Sequence, residues 1–223
     1  MLISQVVTFS GLDGAGKSTL IEALKVALES KGLTVRVLTM YDDLSFYSFL
    51  RFLRDGIRAK IGKSVSYEIE KITDPNFDFH KDSIMYNIIR SKALKMLILP
   101  LDTLCICMFL IFRVPKKEIV LLDRTSYDYI LDFLPEKYRV SYISIALAFS
   151  FRPSLAVFVD TPAQVSFDRK GEFSVAYLSW RSVAYKAIFN ELSREMVLDN
   201  YNNSVEHNVG LLLGKIEKPE IKI

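Results

Sequence analysis

Residues Gly11–Leu20 read GLDGAGKSTL. Within them, Gly11 to Ser18 fit the spacing G-x-x-x-x-G-K-[ST], a loop that cradles phosphates with its backbone. Each residue type has a reason to be there. Glycines let backbone N–H groups turn inward with no side chain in the way. Lys17 supplies a point charge for the terminal phosphates. The Ser18 hydroxyl is a ligand for Mg2+, and a helix opening at this point aims its positive end at the anion. The flanks agree with that reading. QVVTF (Gln5 to Phe9) is short, β-branched and apolar, as a buried strand is. KSTLIEALKVALESKG sets Leu20, Ile21, Leu24, Ala27 and Leu28 at helical spacing. TVRVLTM (Thr34 to Met40) is a second strand, which makes a right-handed parallel crossover unit.

Further along, EIVLLD (Glu118 to Asp123), SLAVFVD (Ser154 to Asp160) and, more weakly, MVLDN (Met196 to Asn200) are apolar strands with polar ends. Ligands of open parallel sheets bind outside such ends. Helical stretches span roughly Ser141 to Phe149, Pro162 to Arg169, Phe173 to Leu192 and Ser204 to Ile216. Tyr41 to Lys92 is harder to read. There, FYSFLRFLRDGIRAKIGK looks like an amphipathic basic helix carrying Arg51, Arg54 and Arg58, either as a solvated face or facing an anion.

The 223 residues suit one α/β domain. Half the residues are apolar, as in a globular protein; the net charge of only +3 says little by itself about nucleic acid, which usually needs a concentrated basic face, and no nucleic-acid partner is expected. The start of the chain carries no signal-peptide pattern. The cysteines, Cys105 and Cys107, lie two apart in an apolar run, poorly placed to bond each other, so they are expected as buried free thiols of a reducing cytoplasm. Leu94 to Phe112, LKMLILPLDTLCICMFLIF, approaches the length of a bilayer span, but Lys95, Pro100 and Asp102 interrupt it. A core helix or a helix in a subunit interface is the expectation, with no membrane span.

Transfer of a phosphoryl group is mostly positioning and charge neutralisation. Besides the loop it needs a carboxylate for the metal and cations for the moving group. Asp123 ends a buried strand, the place for a metal-organising acid, and Arg124 follows it at the sheet's ligand-binding edge; a structural ion pair is the alternative for both. Arg169 and Lys170 end a helix before Gly171, where a lid could hinge and bring an arginine onto the phosphates. A cation that favours a helix C-terminus is the alternative there.

Together these pieces resemble the thymidylate kinase family of P-loop nucleoside monophosphate kinases, over nearly the whole chain. GLDGAGKST is similar to that family's G-x-D-G-x-G-K-S-T loop, LLDRTSYD to its strand and D-R motif, VDTPAQVSFDRK to the segment that leads into its lid, and WRSVAYKAI, with Arg181 and Tyr185, to the helix after the lid. VLDNYNNSVEHNVGLLLGKI resembles the last strand, the adenine-side loop with Asn203, and the final helix. The resemblance implies a three-layer P-loop kinase fold: a five-stranded parallel sheet flanked by helices, with a short lid near 168–178. It implies ATP and Mg2+, with ATP on Gly11, Leu12, Asp13, Gly14, Ala15, Gly16, Lys17, Ser18, Thr19 and Asn203, and the metal at Ser18 and Asp123. It assigns the acceptor to Asp13, Arg90 and Arg124, and catalysis to Lys17, Asp123, Arg124 and Arg169. Ala15 stands where some members carry an arginine, so the lid should supply that charge. A homodimer is implied too. The acceptor-side stretch R-E-P-G of the family is replaced by LTMYDDLSF, and Arg90 matches only loosely. dTMP is the acceptor that the family resemblance implies; these departures instead resemble a divergent thymidylate-kinase-like branch and support the alternative of a nucleoside or a sugar or lipid-linked group, with a non-catalytic nucleotide switch as a third reading.

Overall fold

The computed structural model describes residues 5–40, 92–115, 117–131 and 140–217. The basic stretch with Arg51, Arg54 and Arg58, and Arg90, lie outside them. Five strands, β1 (Gln5–Gly11), β2 (Val35–Thr39), β3 (Ile119–Asp123), β4 (Leu155–Asp160) and β5 (Glu195–Asp199), form one sheet in the order β2-β3-β1-β4-β5, and every pairing is parallel. All five had been legible as apolar runs, and β1 continues two residues beyond Phe9 into the loop. The described helices are α1 (Lys17–Glu29), α2 (Lys92–Arg113), α3 (Ser126–Leu131), α4 (Val140–Ala148), α5 (Ala163–Lys170), α6 (Val175–Asn190) and α7 (Val205–Glu217).

The central strand β1 has neighbours on both sides, and its residues alternate between two cores. Val7 and Phe9 join a large cluster with Leu20, Leu24 and Leu28 of α1 and Leu212 and Ile216 of α7. Val6 points the other way and packs with Val120, Leu122 and Leu38 against Ile106 and Leu110 of α2. A parallel sheet needs cover on both faces, because its crossover helices are laid there, and this alternation produces the three layers.

α2 contains the apolar run. Its buried positions, Leu99, Asp102, Ile106 and Leu110, recur every three or four residues, whereas Leu101, Leu104, Met108, Ile111 and Phe112 are exposed. It is a core helix on one side only. Cys105 and Cys107 are free but half-buried, not buried as expected, because they stand on the boundary between these two sides. Among the described residues no helix is long and apolar enough to cross a membrane.

Phe158 of β4 is fully buried between Tyr185 and Phe189 of α6, with ring centroids 5.2 and 5.4 Å away. Removing a ring from such a site costs the transfer energy and leaves a cavity. Phe158→Ala is expected to lower the unfolding free energy by about 3–5 kcal/mol, measured from urea midpoints.

Candidate active site

The C-terminal ends of β1, β3, β4 and β5 meet around one cleft of about 550 Å³, walled by Asp13, Gly14, Gly16, Lys17, Ser18, Thr19, Asp123, Arg124, Arg169, Lys170, Asn200, Asn203 and Val205. Residues read from four separate stretches of sequence are thus brought together. Leu12 and Ala15 are the exceptions within the loop: both side chains are buried in the large core, so only their backbone belongs to the site. Gly11 likewise lies outside the cleft wall.

The loop is held from outside and below. Gly14 and Gly16 have φ of 85° and 88°, where an L side chain is strained. A Cβ on Gly14 would lie 2.6 Å from the Ser166 carbonyl oxygen of α5, and one on Gly16 2.6 Å from the Asn200 amide nitrogen. The Ala15 carbonyl accepts from Asn200 Nδ2 (2.8 Å) and Thr161 Oγ1 (3.2 Å), which follow β5 and β4. Asn200 is steadied in turn by buried Asn208, whose Nδ2 donates to its Oδ1 at 3.1 Å. Gly16 precedes α1 without any side-chain cap. The first N–H groups of the helix therefore face the cleft as donors for an anion.

Lys17 is only 7 % exposed and donates to the carbonyls of Gly11 (3.0 Å) and Leu12 (2.7 Å). Burial, and then the nearby Arg124 charge, hold its pKa below the ordinary lysine value, with Asp128, Asp13 and Asp123 pulling the other way. An anion in the cleft would restore the charged form. Asp123 is the converse. Burial pushes its carboxyl up, against the pull of Lys17 and Arg124. Its Oδ1 is buried with no hydrogen-bond partner among the described residues. A buried carboxylate oxygen lacking a donor, with Ser18 elsewhere on the same cleft wall, fits a Mg2+ ion with its waters. Among the described residues no group of three or more His, Cys, Asp and Glu side chains could hold a metal alone.

Arg124 has a left-handed backbone, φ 66°, and is the one non-glycine among the described residues with positive φ. Its N–H donates to the Phe9 carbonyl at 2.9 Å, which ties β3 to the strand before the loop. Its guanidinium pairs with Asp13 and reaches Asp128 Oδ1 at 3.4 Å. The turn that follows is locally encoded. Thr125 Oγ1 accepts from the Tyr127 N–H and the Asp128 carboxylate accepts from the Thr125 N–H, both at 3.2 Å, a reciprocal cap that opens α3.

Arg169, at the end of α5, donates to the Gly14 carbonyl at 3.2 Å, so it already reaches across the loop. Lys170 pairs instead with Glu172 at 3.1 Å, over the turn at Gly171. α5 and α6 are separated only by residues 171–174, and Ser174 caps α6 by accepting from the Tyr177 N–H. The segment near 168–178 thus holds the end of one helix and the start of the next around a four-residue turn. On the far wall the exposed Asp199 carboxylate accepts from the backbone N–H groups of Tyr201 and Asn202, which shapes the loop that carries Asn203.

Asp128, Thr161 and Asn200 had no assigned role in the sequence. The only local signal was the second acid of DRTSYD, placed where a helix cap would want it. Comparison with protein-family models and with curated proteins gave no match to the chain.

Gly14→Ala is expected to destabilise by at least about 1–2 kcal/mol from backbone strain alone, before the clash with Ser166. Calorimetry would show it as a lower melting temperature, together with loss of any triphosphate affinity.

Proposed function

We propose that the chain is an ATP-dependent phosphotransferase of the P-loop kinase kind, acting on a nucleoside monophosphate, most plainly dTMP. One observation supports this above the others. An uncapped helix N-terminus, a buried lysine, an orphaned carboxylate oxygen and two arginines from distant stretches share a single cleft. A nucleotide-binding switch has no need of the second arginine.

In this reading the triphosphate lies on the backbone of Gly11 to Thr19 with its base toward Asn203. Ser18 and Asp123 would hold Mg2+, which would supply neutralisation of the phosphate charge. Lys17 leaves the carbonyls of Gly11 and Leu12 for the phosphates. Arg169 moves a short way from the Gly14 carbonyl onto the transferring group. Arg124 holds the acceptor's anion, with Asp13 beside it at the acceptor sugar. A phosphate oxyanion as acceptor needs no strong general base, because its nucleophile is already ionised.

A second reading keeps the chemistry and changes the acceptor to a nucleoside or a sugar or lipid-linked group. The exposed apolar side of α2 favours it, and so does the altered stretch after β2. In that case Asp123 or Asp13 must take the hydroxyl proton. The same apolar side supports a homodimer, and the free thiols support a cytoplasmic setting.

ADP release with Mg2+ would be measured against dTMP, dUMP, UMP, CMP, AMP, GMP, thymidine and no acceptor. A sharp rise with dTMP is expected. Release that stays at the no-acceptor level throughout would remove the nucleotide acceptor. Lys17→Ala should abolish turnover and Arg169→Ala should lower kcat by roughly a hundredfold or more. Turnover like the wild type in either variant would end its assigned role.

A further inference from the structure

Asp128 is fully buried, and the described residues surround its carboxylate with four donors. Oδ2 accepts from Ser10 Oγ at 2.7 Å and from the Thr125 N–H at 3.2 Å. Oδ1 accepts from Tyr185 Oη at 2.6 Å, and the same oxygen faces Arg124 Nη1 at 3.4 Å. The two contacts on this one oxygen are unequal. The neutral phenol has the short bond and the cation the marginal one, although the charged pair would ordinarily be the stronger and shorter. A buried carboxylate that lost the phenol would have an oxygen short of a donor, and the guanidinium is the nearest group that could move in.

We propose that the Tyr185 hydroxyl, by occupying the Asp128 oxygen that Arg124 also faces, is a positioning residue that keeps Arg124 turned toward the cleft. The role rests on the reading of Arg124 as the cation that holds the acceptor. Tyr185 is well suited to it. Its ring is fully buried and stacked on Phe158, so the hydroxyl cannot swing away. Burial and the Asp128 charge raise its pKa, so it remains a donor throughout the physiological range. Arg181, one turn earlier on α6, lies 3.5 Å from the same hydroxyl and 2.8 Å from the Tyr177 hydroxyl, and a cation beside a phenol makes it a stronger donor. The Asp13 carboxylate meets Arg124 on the cleft side. The guanidinium is thus suspended between two carboxylates, one of them partly satisfied by Tyr185, and can be drawn toward an incoming anion.

The test reads the guanidinium itself. Nitrogen-15 NMR of the whole protein resolves arginine Nη signals when rotation of the group is restricted, and Arg124→Lys assigns them. Tyr185→Phe should tighten Arg124 on Asp128, slowing its rotation by about tenfold, the effect of one hydrogen bond to a charged group. Asp128→Asn, which keeps the shape and removes the charge, should act in the opposite sense and speed it. A merely structural tyrosine would lower the melting temperature and leave the Arg124 signals alone. Unchanged or faster rotation in Tyr185→Phe overturns the proposal; if that variant does not fold, unchanged rotation in Asp128→Asn does so. Calorimetric titration separates this from the acceptor reading. Tyr185→Phe should weaken dTMP by about tenfold and leave Mg2+–ATP unaffected. Wild-type protein that fails to bind dTMP while the Arg124 signals respond as stated removes dTMP as the acceptor and leaves the positioning role standing.

Discussion

A lysine ammonium buried against two backbone carbonyls is the constraint around which the C-terminal edge of this sheet is arranged. Lys17 cannot reach those carbonyls unless the loop from Gly11 to Gly16 doubles back over it, and the loop cannot do that without the left-handed backbone at Gly14 and Gly16. The fold then encloses the loop from two sides. Ser166 of α5 lies against Gly14, and Asn200 against Gly16 and the Ala15 carbonyl. Each contact comes from the chain beyond a different strand, so the loop can be correct only when β4 is paired in register with β1 and β5 with β4. The core and the cleft are in this sense one structure. Phe158, for instance, anchors both the strand that leads to Thr161 and the helix that carries Tyr185.

The charges obey the same constraint. Among the described residues the cleft wall carries four cations, Lys17, Arg124, Arg169 and Lys170, against two carboxylates, Asp13 and Asp123. Burial, and then the Arg124 charge, hold the lysine's pKa below its ordinary value, and Asp123 Oδ1 has no hydrogen-bond partner among the described residues. Both conditions are costly, and in the proposed reading both would be relieved by a polyphosphate with its metal. Local strain at Arg124 belongs with them: a left-handed arginine persists only where its surroundings fix it, here through the Phe9 carbonyl and two carboxylates.

Much of this was legible in the sequence because it is local. The strand, loop and helix of residues 5–29 follow from β-branched residues, glycines and a 3.6-residue apolar repeat, and the acids that end β3 and β4 announce the ligand edge. The position of Arg169 over the loop was also foreseeable, from a cation at a helix end before a glycine. What stayed hidden depends on distance along the chain. Asp128 meets Tyr185 57 residues later and Ser10 118 residues earlier, and no spacing rule connects them. The clamp of Thr161 and Asn200 on Ala15 spans 146 and 185 residues. Leu12 and Ala15 could be read as loop residues but not as core, because which way a side chain leaves a phosphate loop is decided by the sheet beneath it. The apolar run of α2 showed its length plainly; that only one side of it would be buried depended on the packing of β1 and β3.

The central claim is that this cleft is made for a triphosphate with its metal. Isothermal titration of ATP into the protein, once with Mg2+ and once with the metal chelated, tests it most directly. The account predicts saturable binding at one site per chain, markedly tighter with Mg2+. Absence of binding at millimolar ATP in the presence of Mg2+ would contradict it.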